Sequence, residues 1–141
     1  MSKYAVVYWS GTGNTEKMAF AVAEGIRAAG AEVEVVPAAE FTPSQAGEYA
    51  GIAFGCPSMG AEELEADVFE PVYRAAMLRL SGKPIALFGS YGWGDGTWMC
   101  NWQEEVEQGN CNLVADGLIA NNAPDEDALA ACEALGKKLA G

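Results

Sequence analysis

Apolar positions along this chain follow two rhythms. Tyr4-Ala5-Val6-Val7-Tyr8 is a run rich in β-branched and aromatic residues that stops at Ser10, the pattern of a strand. Met18, Ala21, Val22, Gly25, Ile26 and Ala29 then recur at helical spacing, and Gly30 closes that face. From Ala31 to Pro37 apolar and polar residues alternate, which predicts a half-exposed edge strand ended by its proline. A polar stretch around Pro43-Ser44-Gln45 has room for one helical turn or two. Ala50 to Cys56 and Ile85 to Gly89 are almost wholly apolar, as strands buried on both faces are. Between them Ser58 to Asp67 is irregular and acidic, and a helix is predicted from near Phe69, with Pro71 in its first turn, to about Leu80. Trp98, Met99, Trp102 and Val106 mark a further helix stopped at Gly109. Leu113 to Ala120 reads as a last strand interrupted at Asp116-Gly117, and Leu129, Cys132, Leu135, Gly136 and Leu139 form a final helix opened around Pro124-Asp125.

Strand and helix thus alternate five times, without repeats, linkers or low-complexity tracts. That order predicts one α/β domain over residues 1–141, a doubly wound five-stranded parallel sheet with helices on both faces and right-handed crossovers. Ligands of such sheets bind beyond the carboxyl ends of the strands, where the winding reverses. The loops after strands one, three and four, residues 10–15, 57–62 and 90–95, are therefore the candidate site.

Composition narrows the class. The 141 residues, half of them apolar and 20% charged, suit one globular domain. No run approaches the ~18–20 apolar residues of a membrane span, and Met1-Ser2-Lys3-Tyr4 leads straight into a strand without a signal-peptide core, so a soluble cytoplasmic protein is expected. Twenty acidic residues against eight basic ones give a net charge of −12. Such a surface repels nucleic acid and anionic membranes and attracts basic protein patches; by itself it equally serves solubility. Cys56, Cys100, Cys111 and Cys132 form no C-x-x-C pair and the chain has no histidine. Cys–His catalysis is excluded, a zinc site is disfavoured, no metal is expected, and the thiols read as reduced and mostly buried.

The first loop joins a strand to a helix start, where unpaired N–H groups and the helix dipole favour an anion. It is not a P-loop, because Gly82-Lys83 leads to Pro84 and Gly136-Lys137 to Lys138. Nor is it a dinucleotide fingerprint, because Glu16 stands where the third glycine would be. Hydroxyls of Ser10, Thr12 and Thr15 and the Asn14 amide make a phosphate cradle without a cation, Lys17 being read as solvent-facing; the plainer reading is an ordinary turn with Asn14 or Thr15 as N-cap. Met59 between Ser58 and Gly60, and Trp93 between Gly92 and Gly94, are bulky tips on loops with backbone freedom. Trp93 is either a core residue covering its loop or, with Met59, one wall of a sandwich around a planar ring. Phosphate at one end and a flat ring at the other describe a mononucleotide.

Ser10-Gly11-Thr12-Gly13-Asn14-Thr15, Cys56-Pro57-Ser58-Met59-Gly60 and Ser90-Tyr91-Gly92-Trp93-Gly94-Asp95-Gly96 resemble, in order and spacing, the three FMN-binding loops of short-chain flavodoxins, especially those of anaerobes related to clostridia. The likeness extends over essentially the whole chain. It implies a 2-1-3-4-5 strand order, non-covalent FMN and low-potential electron transfer in place of ferredoxin. The implied cofactor-binding residues are Trp9, Ser10, Gly11, Thr12, Gly13, Asn14 and Thr15 in the first loop; Pro57, Ser58, Met59, Gly60, Ala61 and Glu62 in the second; and Ser90, Tyr91, Gly92, Trp93, Gly94 and Asp95 in the third. By the same resemblance Ser10, Thr12, Asn14 and Thr15 bind phosphate, and Trp93 and Met59 flank the outer and inner ring faces. Glu62 accepts from the ring N3–H, and the Gly60-Ala61 peptide turns to meet N5–H on reduction. Pro57 stands where some relatives have serine, and Ala61 where some have aspartate or serine.

Fully reduced FMN carries an anionic ring, and burying an anion beside carboxylates is costly. Glu62, Glu63, Glu65, Asp67 and Asp95 lie on two of the loops or just past them and disfavour the hydroquinone, while an N5–H bond to the Gly60 carbonyl favours the neutral semiquinone. The expected function is a one-electron shuttle between the two rather than an enzyme, with the acidic rim as its docking surface. Its partners are expected to be redox proteins with basic docking surfaces, namely flavodoxin or ferredoxin reductases and oxidoreductases that otherwise use ferredoxin, met by a monomer. Two alternatives stand beside it. An FMN-dependent NAD(P)H or quinone reductase needs a substrate pocket that 141 residues leave no insertion to build, and a phospho-receiver module needs aspartates where Ser10 and Cys56-Pro57 end their strands.

Overall fold

The computed structural model describes residues 3–11, 13–59, 64–92, 96–109 and 111–141. Its strands are β1 (Lys3–Tyr8), β2 (Glu32–Pro37), β3 (Gly51–Gly55), β4 (Pro84–Tyr91), β5 (Asn112–Leu113) and β6 (Leu118–Asn121). The α-helices are α1 (Asn14–Ala28), α2 (Phe69–Met77), α3 (Thr97–Glu107) and α4 (Glu126–Ala140), and the link from β2 to β3 holds two short 3-10 helices, Ala38–Glu40 and Pro43–Glu48. The sheet runs β2-β1-β3-β4-β5, all pairings parallel, with β6 also paired to β4. The 2-1-3-4-5 order is as expected. Winding reverses between β1 and β3, whose registers Val6↔Ala53 and Tyr8↔Gly55 bring both carboxyl ends to one level.

Parallel strands buried on both faces alternate their side chains between two cores. Ala5, Val7, Ile52, Phe54, Ile85 and Leu87 face α2 and α3, where Phe69, Tyr73, Trp98 and Trp102 are buried. Phe69 and Tyr73 stack at 5.9 Å, and both meet Trp102 edge-on. Tyr4, Val6, Tyr8, Ala53, Ala86 and Phe88 face α1 and α4, against Met18, Val22, Ile26, Cys132, Leu135 and Leu139. The apolar spacings read from α1 and α4 are the buried faces, except that Ala29, the C-cap of α1, is exposed and Leu129 of α4 is half-buried.

The fifth strand differs from a simple interrupted strand. Between the pairs Ile85↔Leu113 and Phe88↔Leu118 the outer chain uses more residues than β4, so 114–117 bulge. Gln103 on α3 holds the bulge, its Oε1 accepting from Gly117 N–H (2.8 Å) and its Nε2 donating to Asp116 Oδ1 (3.0 Å). Helix α2 ends at Met77, short of Leu80, and tightens into a last turn in which Arg79 N–H donates to Ala76 O and Leu80 N–H to Met77 O.

Candidate functional site

Beyond Tyr8 the first strand is extended by Trp9, whose N–H donates to Gly55 O (3.0 Å). The chain then turns through Gly13, which enters α1 at φ 93°, a conformation that favours glycine. The N-cap is therefore Gly13, neither Asn14 nor Thr15, and with no side chain of its own it leaves the capping to Ser10. The Ser10 Oγ accepts from Gly13 N–H (3.0 Å) and Glu16 N–H (3.3 Å). Tyr8 Oη donates to Glu16 Oε2 (2.8 Å); burial and that carboxylate push the phenol up to about 12, so it stays protonated. Lys17 is exposed.

Thr15 is buried and turned toward the fourth strand. Its Oγ1 lies 2.9 Å from Ser90 Oγ and accepts from Ser90 N–H at 3.3 Å. Ser90 O in turn accepts from Ser58 N–H (3.0 Å), and Cys56 N–H donates to Phe88 O (3.1 Å). The second loop is thereby laid along the end of β4. Burial raises the Cys56 thiol to about 12, which removes it as a nucleophile.

These loops enclose a cleft of about 370 Å³. Trp9, Gly11 and Asn14 line it from the first loop, Pro57, Ser58 and Met59 from the second, and Ser90, Tyr91 and Gly92 from the third. Tyr91 is backed by Trp98, ring centroids 5.5 Å apart. Ser58 Oγ is buried without a hydrogen-bond partner among the described residues. Ser10, Gly13 and Thr15 flank the cleft rather than line it. Thr12, Gly60, Ala61, Glu62, Trp93, Gly94 and Asp95, together with Glu63, lie outside the described residues.

Two features were absent from the sequence reading. Asn122, past β6, adds a fourth wall to the cleft; it sits at φ 57° and donates its N–H to Tyr91 O at 2.7 Å. Asn tolerates that conformation better than most residues, and Asn121-Asn122 at a strand end was the available signal. Glu65, expected on the acidic rim, is instead buried. Its Oε1 accepts from Val68 N–H (2.8 Å) and Phe69 N–H (2.7 Å) and its Oε2 from Asp67 N–H (3.0 Å). The reason is local: the α2 N-cap, Val68, has no side chain able to accept those donors. Asp67 is exposed.

The basic side chains are segregated. Seven of the eight, Lys3, Arg27, Arg74, Arg79, Lys83, Lys137 and Lys138, lie at strand starts or near helix ends, away from the cleft; Lys17 is the exception. Asp67 and the α4 opening Asp125-Glu126-Asp127 lie at the cleft's end of the sheet, where Asp125 Oδ1 caps Ala128 N–H (2.8 Å). Among the described residues no group of acidic or sulfur ligands could hold a metal, and no helix is long and apolar enough to cross a membrane.

The flavodoxin family model matches residues 6–135. Among known proteins the chain is 44% identical over 135 residues to a flavodoxin of Clostridium beijerinckii, covering 96% of this chain and 97% of that one. It is 41% identical over 138 residues to a flavodoxin of Megasphaera elsdenii, covering 96% of each. The solution structure of the two-electron reduced Megasphaera elsdenii flavodoxin superposes with a TM-score of 0.88, covering 97% of this chain and 98% of that one. Sheet order, loop placement and end-to-end likeness agree, and the chain belongs to the flavodoxin family.

Proposed function

We propose that the 141-residue chain is a single FMN-binding domain that works as a low-potential one-electron carrier, a cytoplasmic monomer without a substrate of its own. The observation that carries this reading is the convergence of three loops on one cleft in which a buried hydroxyl, Ser58 Oγ, has no partner among the described residues. A buried hydroxyl without a partner costs about 1–3 kcal/mol unless a ligand engages it. The cleft also fits the group in size, since cofactor sites run roughly 300–1,000 Å³, and in chemistry, with neutral donors at the start of α1 and the apolar bodies of Trp9, Met59 and Tyr91 opposite.

Bound FMN supplies one-electron redox chemistry. Ser10, Thr12, Asn14 and Thr15 would hold its phosphate, the Gly13 N–H being already engaged by Ser10 Oγ. Pro57 has no hydroxyl to offer there, and Ser58 supplies one a residue later. Met59 and Trp93 would flank the ring, Tyr91 and Trp9 close its sides, and Glu62 with the Gly60-Ala61 peptide meet its polar edge. No described residue lining the cleft is cationic, so the phosphate would be held by neutral donors and the partial charge of the α1 start, without a full countercharge. An added electron then meets an incompletely compensated negative field, and each 1.4 kcal/mol of repulsion shifts the reduction equilibrium about tenfold. The Gly60 carbonyl would accept from the ring N5–H and favour the one-electron-reduced form, while the field would disfavour the fully reduced one.

Segregation of the cations away from the cleft leaves its rim acidic. Basic redox partners, reductases and ferredoxin-using oxidoreductases, would be steered to that end in weak, salt-sensitive complexes. The test is the visible spectrum of purified protein followed by stepwise reduction. Flavin bands and two separated one-electron steps are expected, and a colourless protein that takes up no FMN would refute the proposal. NAD(P)H turnover with a small acceptor and no added reductase would replace the carrier by an enzyme.

A further inference from the structure

Ser90 is where the loops meet. It is 5% exposed and Thr15 is 1% exposed, and their side-chain oxygens are 2.9 Å apart although the residues stand 75 positions apart in the chain. The pair carries two hydroxyl protons, and only one of them can lie between the two oxygens. Thr15 Oγ1 also accepts from Ser90 N–H. If Thr15 donated to Ser90, the Ser90 proton would be left without an acceptor among the described residues, as the Thr15 proton is in the reverse arrangement. The choice therefore turns on which proton stands at the anion-favouring first turn of α1, and that is the Thr15 one. If Ser90 donates, Thr15 Oγ1 receives two protons and its own is free for an acceptor at the first loop.

Resting on the FMN reading above, we infer that Ser90 is a positioning residue for phosphate recognition. Its hydroxyl donates to Thr15 Oγ1, which turns the Thr15 proton toward a phosphate oxygen and strengthens it as a donor through the chained hydrogen bond. Ser90 lines the cleft from the third loop and acts on the phosphate through Thr15. Because Ser90 O also holds Ser58 N–H, the residue that sets the phosphate donor also sets the second loop. The relay therefore tells a phosphorylated flavin from an unphosphorylated one, and its signature is a ratio of affinities.

The experiment titrates apoprotein in phosphate-free buffer with FMN and, separately, riboflavin, following quenching of flavin fluorescence. Ser90→Ala is expected to weaken FMN about 10-fold more than it weakens riboflavin, because losing the Ser90 hydroxyl misdirects the Thr15 proton, whereas any contact of this cleft-lining side chain with the rest of the flavin is lost by both ligands alike. The riboflavin-to-FMN ratio of dissociation constants then falls about 10-fold. Thr15→Val lowers the ratio at least as far, and Ser90→Ala in the Thr15→Val background lowers it no further. Ser90→Cys, close in size with a weak donor, gives an intermediate ratio and serves if the alanine variant does not fold. Equal weakening of both flavins by Ser90→Ala, or an undiminished effect in the Thr15→Val background, overturns the relay. Wild-type protein that binds neither flavin overturns the FMN reading itself, a result distinguishable from either.

Discussion

Replacing Glu65 by glutamine exchanges one carboxylate oxygen for an NH₂ group in a buried place. The amide oxygen can stay with Val68 N–H and Phe69 N–H, which leaves the new NH₂ facing Asp67 N–H, donor against donor. One buried donor without a partner costs about 1–3 kcal/mol, and the two retained bonds lose the charge that roughly doubles their strength. The expected loss is about 2–4 kcal/mol at pH 7, and with a urea m-value of about 1–3 kcal/mol/M the unfolding midpoint falls by roughly 1–2 M. The pH dependence follows from the same contacts. Burial pushes the Glu65 carboxyl up, but the N–H groups of Phe69, Val68 and Asp67 outweigh it and hold it below its ordinary value. A carboxyl with a depressed folded pKa contributes stability that is complete above its unfolded pKa and lost as pH falls through the folded one. The gap between wild type and Glu65→Gln should be constant from pH 8 to about 5 and close progressively below about 4. Urea unfolding by tryptophan fluorescence at several pH values measures it. A variant as stable as wild type at pH 7, or a gap unchanged at the acid end, would refute the argument.

A Cβ at Gly136 would run into Val22 O on α1 and lie 3.0 Å from Ile26 N, so Gly136→Ala should destabilise the protein by ~1–3 kcal/mol despite the ~1 kcal/mol that alanine gains in a helix; a raised unfolding midpoint would contradict this. Ser58→Ala should lower FMN affinity about 3- to 10-fold by isothermal titration, the worth of one hydroxyl bond; unchanged affinity means that the hydroxyl does not meet the cofactor. In stopped-flow reduction of a basic c-type cytochrome, the paired change Glu126→Lys and Asp127→Lys should slow association several-fold at low salt and little at high salt. Lys137→Glu with Lys138→Glu, at the other end of the same helix, should change it by less than about 2-fold; equal effects would remove the acidic rim from docking.

Where burial follows periodicity, the fold was readable in advance. The continuous apolar runs became β1, β3 and β4, the spaced ones became the buried faces of α1 and α4, and Asp125 caps α4 where its opening was expected. The loops at the winding reversal follow from topology, and they do enclose the cleft. What escaped depends on contacts between distant residues. The bulge in the fifth strand is fixed by Gln103 from α3, and Asp116-Gly117 betrays only an interruption. Glu65 turned inward because the start of α2 offers three donors and Val68 cannot accept them. Thr15 faces Ser90, a partner that no local pattern reveals. Asn122 went unread because its loop follows the edge strand, away from the reversal.

The divided fifth strand also bears on what happens when many copies of this chain are crowded together. A sheet edge with a long row of free N–H and C=O groups is a template for another molecule's strand. On one edge the available segments, Asn112–Leu113 and Leu118–Asn121, are two and four residues long and set apart by a bulge. On the other, β2 carries Glu32 and Glu34 and ends in Pro37, which has no N–H to give. Neither border presents a long, unbroken and uncharged run to which a neighbour could zip. The borders therefore disfavour intermolecular strand addition when the chain is concentrated, in addition to the protection its charge supplies.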